Sequence, residues 1–340
     1  MSKLKLRQSN MELLRILAMF LVMVVHASFL ALGVPTTADC HSNLAGSVAI
    51  FMVQSISVVC VNVFVLLSGW FGVHFKTKKI LGLFFQAFYF AALILIALLL
   101  VGPQENSMNI SCLGTLLMLD GNDYWFIKAY IGLCFLSIFM NAFIEQANEI
   151  RLRWVVVLFF IFQTIYGWLS INGTSWLAGG YSAVSFVGLY LLGRYVRLYR
   201  KNWADKEWYI YLTLFFSIAI FQGMLAESVT YIGLPIAGRL FTYTNPLVII
   251  QSLSLLLLFN KIHIQCSWIN WVAASCVAVY LLHANELVLR TYYAPFIHSL
   301  NENYSTPQFI LLSFFFMVMI FAVAVLLDQP RKWIWTKISR

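Results

Sequence analysis

The chain has 340 residues, 61% of them hydrophobic and only 10% charged, with a mean hydropathy of +0.84. Soluble domains carry about 25% charged residues, and no soluble fold keeps this much apolar surface dry, so the bilayer is the solvent. The formal net charge of +9 would suggest nucleic acid in a soluble protein; here it reads as cationic loops on a cytoplasmic face, and no nucleic-acid partner is expected.

Apolar runs bounded by polar punctuation predict an all-α polytopic membrane protein with about ten transmembrane helices. They cover 11–32, 46–71, 80–101, 125–144, 154–171, 181–197, 208–227, 242–259, 268–290 and 307–327. The first run contains charges and lacks a small-residue cleavage site, so it reads as a retained span. With the N-terminus inside, 18 of the 22 Lys and Arg residues fall on the inner side. That asymmetry predicts both termini cytoplasmic. The reading is one integral membrane domain over 1–340, with no appended soluble domain. The six cysteines show no CxxC spacing; Cys40 and Cys112 fall in predicted outer loops.

Ionisable groups inside spans cost several kcal/mol and usually face a bundle interior or a wet cavity. In "NMELLRILAMFLVMVVHASF", Arg15 and His26 are 11 residues apart. That is about three turns plus 20°, so they share a face with roughly 16 Å between them. Glu12 precedes Arg15 at i, i+3 and can pair with it. A guanidinium grips phosphate or carboxylate bidentately, and an imidazole takes a proton near neutral pH. Snorkelling of Arg15 and a helix–helix hydrogen bond from His26 are the competing structural roles.

After the second span, "LLSGWFGVHFKTKK" sets Lys76, Lys78 and Lys79 at the inner mouth. This is a phosphate site or ordinary positive-inside topology. "DGNDYWFIKAY" places Asp123 and Trp125 at the outer entry to the fourth span. They form a substrate rim, or Trp125 belongs to an interfacial belt. Tyr124, Tyr231, Tyr292 and Tyr293 are predicted at the same outer rim, and Glu227 is a second buried-carboxylate candidate. In "VAVYLLHANELVLR", Tyr280, His283 and Glu286 recur every three residues, with Arg290 four after Glu286. On an unbroken helix they make one polar stripe. No HExxH, GxSxG, P-loop or GxGxxG occurs, and the dispersed histidines suggest no metal site.

These motifs line up in order with a family. Arg15-x10-His26 after "NMELLR" resembles the first span of the membrane-bound acyltransferase 3 family of bacterial O-acyltransferases. "NVFVLLSGWF" with its following basic patch, "DYWFI" and "VYLLH" are similar to later motifs of that family. One departure is that the basic signature is Lys76-x-x-Lys79 rather than a pair of arginines, which loses the bidentate fork. The resemblance implies transfer of an acyl group, acetyl by default, from cytoplasmic acetyl-CoA to a hydroxyl of a cell-surface glycan or lipid-linked glycan precursor. It implies a multi-pass enzyme of the bacterial cytoplasmic membrane, without a metal cofactor, in which a homodimer is compatible. In it, His26 is the general base, Glu12 orients Arg15, and Arg15, Lys76 and Lys79 hold the coenzyme A thioester. Tyr280, His283, Glu286, Trp125 and Asp123 serve the acceptor. The alternative drawn from the buried charges is a transporter or flippase for an envelope precursor, without acyl-transfer chemistry.

Overall fold

The computed structural model describes residues 7–101, 114, 116–119, 124–170, 174 and 176–339. Each of the ten predicted spans overlaps helix, and no strand occurs among the described residues. Seven helices there are long and apolar enough to cross a membrane, or eight if one bent pair is a single span. The predicted sixth and eighth spans are shorter helices, Ala183–Tyr199 of 17 residues and Pro246–Asn260 of 15. At 1.5 Å per residue these are about 26 and 23 Å long, less than the hydrocarbon core of about 30 Å.

In chain order the helices are α1 (Ser9–Val25), α2 (Thr37–Ser42), α3 (Leu44–Ser57), α4 (Cys60–Phe71), α5 (Thr77–Val101), α6 (Trp125–Gln146) and α7 (Glu149–Phe162). They continue with α8 (Ala183–Tyr199), α9 (Trp208–Tyr231), α10 (Pro246–Asn260), α11 (Ser267–Ala273), α12 (Cys276–His283), α13 (Ala294–Asn303) and α14 (Thr306–Ile338). The chain forms two compact units, Met1–His74 with Ala129–Ala273, and Phe75–Lys128 with Ala274–Arg340.

In the first unit, α4 and α8 cross at backbone contact. A Cβ on Gly69 would lie 2.2 Å from the Tyr190 carbonyl oxygen, and one on Gly193 would lie 2.5 Å from that of Leu66. Only glycine permits such an approach, the usual device for packing helices in lipid. Side-chain hydrogen bonds supply the adhesion that apolar burial does not provide there. Asn62 Nδ2 donates to the Tyr243 carbonyl at 3.0 Å, Ser55 Oγ to that of Ala219 at 2.7 Å, and Gln222 Nε2 to that of Leu240 at 2.8 Å.

The predicted second span is broken at Val58–Val59 into α3 and α4. Carbonyls beside the break are taken up by α10, through Gln251 Nε2 to Ser55 at 3.1 Å and Ser252 Oγ to Val59 at 3.4 Å. Such replacement partners are what a break at membrane depth requires. The start of α1 is fixed by Asn10 Nδ2 to the Phe259 carbonyl, 3.1 Å, and by Ser9 Oγ, which receives the Cys266 N–H at 3.0 Å.

In the second unit, α5 and α14 run antiparallel. Lys78 Nζ reaches the Ser339 carbonyl at 2.5 Å, Phe85 stacks on Trp335 at 5.3 Å, and Tyr89 donates to the Leu327 carbonyl at 3.3 Å. Between these contacts lies a buried ionic group. Asp328 Oδ1 receives Arg331 Nε at 2.8 Å and Gln86 Nε2 at 3.0 Å, and Lys332 Nζ stands 3.2 Å from Oδ2. Arg331 and Lys332 are thus parts of an internal network and not simply orientation signals on an inner loop.

Candidate active site

On the first unit, α1 carries three of the predicted residues. Glu12 is 8% exposed and is ion-paired with Arg15 as the i, i+3 spacing predicts. Arg7, in the segment before the helix, approaches the same carboxylate at 3.8 Å. Glu12 therefore lies between two guanidiniums, which fixes the Arg15 side chain on its helix face. His26, half-buried, is the first residue of a π-helical turn, His26–Leu30, in which the Ala31 N–H donates to the His26 carbonyl at 3.1 Å. π-turns inside helices occur often at functional sites.

Beneath this stripe is a polar cluster on α4, α6 and α8. Tyr130 OH lies 3.4 Å from Ser68 Oγ and within electrostatic reach of Arg15. Tyr190 OH donates to Asn141 Oδ1 at 2.7 Å, and Asn141 Nδ2 donates to the Val73 carbonyl at 2.7 Å. Arg194 follows Tyr190 by one turn on α8. It packs on Gly72, whose φ of +73° ends α4 and whose Cβ, if present, would lie 3.3 Å from the Arg194 Cζ.

Two further arginines follow, one on the same helix and one capping it, and both are already engaged. Arg197 covers the Trp70 ring at 4.8 Å, and Arg200 pairs with Glu149 at 2.8 Å. On α9, Glu227 is 4% exposed and its carboxylate faces the Cys40 thiol. The buried-carboxylate expectation is met at that position.

On the second unit, the expected single stripe on the ninth span is not formed. The helix breaks at Ala284–Asn285, with a 65° bend between Ser267–His283 and Glu286–Asn303. Tyr280 and His283 stay together, with ring centroids 6.3 Å apart, while Glu286 lies beyond the break and pairs with Arg290.

Tyr124 accounts for the break. Its hydroxyl donates to the Leu281 carbonyl at 3.0 Å, an acceptor that Asn285 N–H would occupy in a continuous helix. Because that hydroxyl donates to a carbonyl, it must accept from Asn285 Nδ2 at 3.0 Å, which fixes the orientation of the amide. The Asn285 Oδ1, in a residue 1% exposed, has no hydrogen-bond partner among the described residues. Tyr124 itself is 1% exposed with φ +52°, so it is a buried, strained residue and not the exposed rim aromatic expected.

His283 is fully buried, and its Nδ1 lies 2.6 Å from the Val279 carbonyl. A carbonyl only accepts, so Nδ1 carries the hydrogen and the ring orientation is fixed. Trp125 is half-buried at the start of α6, edge-on to Phe126 at 5.9 Å. Lys76 and Lys79 are exposed at the start of α5, without an ion pair among the described residues. Asp123 and Cys112 lie outside the described residues.

Sequence reasoning missed Arg194, Asn141, Asn285 and the Asp328 network. The only signal for Asn285 was a polar residue two positions after His283 in "LLHANE".

Comparison with known proteins adds one strong finding. Residues 8–328 match the model of the acyltransferase 3 family, described as an acyltransferase domain. No curated protein and no solved structure matches the chain. The match covers nearly the whole chain and displaces the transport-only alternative. The chain is a multi-pass membrane O-acyltransferase and belongs to the acyltransferase 3 family.

Proposed function

We propose that this enzyme transfers an acetyl group from cytoplasmic acetyl-CoA to a hydroxyl of a cell-surface glycan or its lipid-linked precursor. It works as a single acyltransferase domain in the bacterial cytoplasmic membrane, crossing ten times with both termini inside. Arg15, oriented by Glu12, and the Lys76/Lys79 pair bind the donor's phosphates. Tyr280, Glu286, Trp125 and Asp123 serve the acceptor. His26 removes the proton from the acceptor hydroxyl as its oxygen attacks the thioester carbonyl. The C–S bond then breaks, and the imidazolium returns the proton to the departing thiolate.

The observation that supports this reading most is the layout of α1. An ion-paired guanidinium at position 15 and an imidazole opening a π-turn at position 26 stand on one helix. Eleven residues of rise separate them by about 16 Å, a span suited to an extended donor arm.

A second reading takes His283 as the base, its ring orientation being set by Nδ1–H on the Val279 carbonyl. The same experiment separates the two. Purified His26→Ala and His283→Gln are assayed for transfer from labelled acetyl-CoA. Loss of a general base costs about 10²- to 10⁴-fold. His26→Ala is expected to show that loss, with His283→Gln the milder variant. Near wild-type turnover in His26→Ala, with the large loss in His283→Gln, would reverse the assignment.

A further inference from the structure

Arg194 and Arg197 lie in the last turns of α8 and Arg200 caps its end; two of the three have partners. Arg197 rests on the Trp70 ring, and Arg200 has Glu149. Arg194 makes no ion pair and no hydrogen bond among the described residues, and its Nε is buried. No carboxylate among the described residues is ion-paired with it: Glu12 pairs with Arg15 and Arg7, and Glu149 with Arg200.

The surroundings are built rather than accidental. The guanidinium lies on the backbone at Gly72, where a Cβ would come within 3.3 Å of both Cζ and Nη1. Gly72 has φ +73°, ψ 100°, and its N–H closes α4 onto the Ser68 and Gly69 carbonyls. The next carbonyl, Val73, is occupied by Asn141 and by Tyr190 OH, at 2.7 and 3.3 Å, so it offers the cation little. The Gly69–Tyr190 and Leu66–Gly193 approaches lock α4 against α8 and so fix the guanidinium relative to the chain end it covers. A partly desolvated cation without a counter-charge is costly, and in membrane proteins such groups mark substrate and ion pathways.

We propose that Arg194 is an anion contact that grips a phosphate group of the acyl donor. This rests on the reading of the donor as a coenzyme A thioester. Arg194 would supply a planar, two-toothed grip on a phosphate, which an ammonium, acting as a point charge, does not give. Tyr190 lies within electrostatic reach of Arg194 and of Tyr130, and Tyr130 within reach of Arg15, so a phosphate at Arg194 has a phenol beside it.

The test uses the whole protein in detergent. Coenzyme A binding is measured by calorimetry for wild type, Arg194→Gln and Arg194→Lys, with inorganic pyrophosphate as competitor. A charge-assisted contact of about 1.5–3 kcal/mol corresponds to a 10- to 150-fold loss of affinity in Arg194→Gln. Partial recovery is expected in Arg194→Lys, and KM for the donor should rise while kcat is kept. Pyrophosphate should compete in wild type and lose its effect in Arg194→Gln.

Wild-type coenzyme A affinity in Arg194→Gln overturns the proposal. Failure of coenzyme A to bind the wild type overturns the donor reading instead; pyrophosphate stabilisation that depends on Arg194 would then leave the anion site standing, and its absence would remove it too. Should Arg194→Gln not fold, the wild type decides. Pyrophosphate is expected to protect Arg194 from phenylglyoxal, read by peptide mass spectrometry, and no protection overturns the site.

Discussion

Asp39 shows how a single carboxylate can organise a loop. It receives the Thr36 hydroxyl at 2.7 Å and the Thr36 N–H at 2.8 Å, while its own N–H donates to Thr36 Oγ1 at 3.3 Å. This reciprocal box starts α2 in the segment joining α1 to α3. The Thr36 hydroxyl first, then its backbone N–H, holds the Asp39 carboxyl below its ordinary value of 3.8. A depressed carboxylate pKa means the cap's contribution is complete above about pH 3.8 and is lost as pH falls through the folded value. Thr36→Ala removes the hydroxyl and keeps the backbone N–H, so the Asp39 titration, followed by carboxyl-carbon NMR, should move upward toward the ordinary value. An unchanged midpoint would show that Thr36 does not set it.

The Glu12–Arg15 pair was legible at this same scale, because i, i+3 neighbours on a helix meet whatever the fold does. Arg7's share in Glu12 was not, since Arg7 precedes the first helical residue and only the docking of that segment on Asn270, at 3.1 Å, aims it. Arg194 stayed hidden for a related reason. In sequence it is one of a run of inner-loop cations, and only the crossing of α8 on α4 separates it from Arg197 and Arg200.

Among elements, the breaks matter most. Neither Val58–Val59 nor Ala284–Asn285 carries proline or glycine, so apolar patterning ran straight through both. Their causes are tertiary: α10 side chains at one, Tyr124 and Asn285 at the other. Tyr124→Phe removes the donor to Leu281 and the acceptor of Asn285 Nδ2, leaving two buried groups unmet. Each is worth about 1–3 kcal/mol, so thermal unfolding should come several degrees earlier. A melting temperature at the wild-type value would mean the bend holds without that hydroxyl.

The α5–α14 pair has a comparable dependence. Asp328, fully buried, faces both Arg331 and Lys332. Asp328→Asn keeps the shape and removes the charge, stranding two cations. Breaking a buried pair in this way costs about 3–5 kcal/mol. Denaturant unfolding in detergent should show it, and a change below about 1 kcal/mol would show the network to be better hydrated than its burial suggests.

For the whole molecule, the number of crossings was read from apolar runs, and their positions were legible because lipid demands long apolar helices. Seven of the predicted spans meet that length; α8 and α10 fall short of it. Short helices read as spans from hydropathy alone because flanking residues share their apolar character. The proposed sidedness makes 206 an inner and 303 an outer position. In a background with Cys112 and Cys266 replaced by serine, an impermeant maleimide should label Asn303→Cys in intact cells. Lys206→Cys should react only after permeabilisation, and the reverse pattern would invert the topology.

The turn at His26–Leu30 bears on how the chain tolerates changes of length. Its hydrogen bonding spans five residues where an α-helix spans four, so the turn holds one residue more than a regular helix needs. A one-residue deletion between 26 and 30 is therefore the mildest shortening the first span can undergo. It would convert the turn to ordinary helix and keep both flanking ladders intact. What it would alter is the angular offset between the half of the span that carries the guanidinium and the half that continues toward α2. A family member one residue shorter at that point would be a natural version of the same experiment.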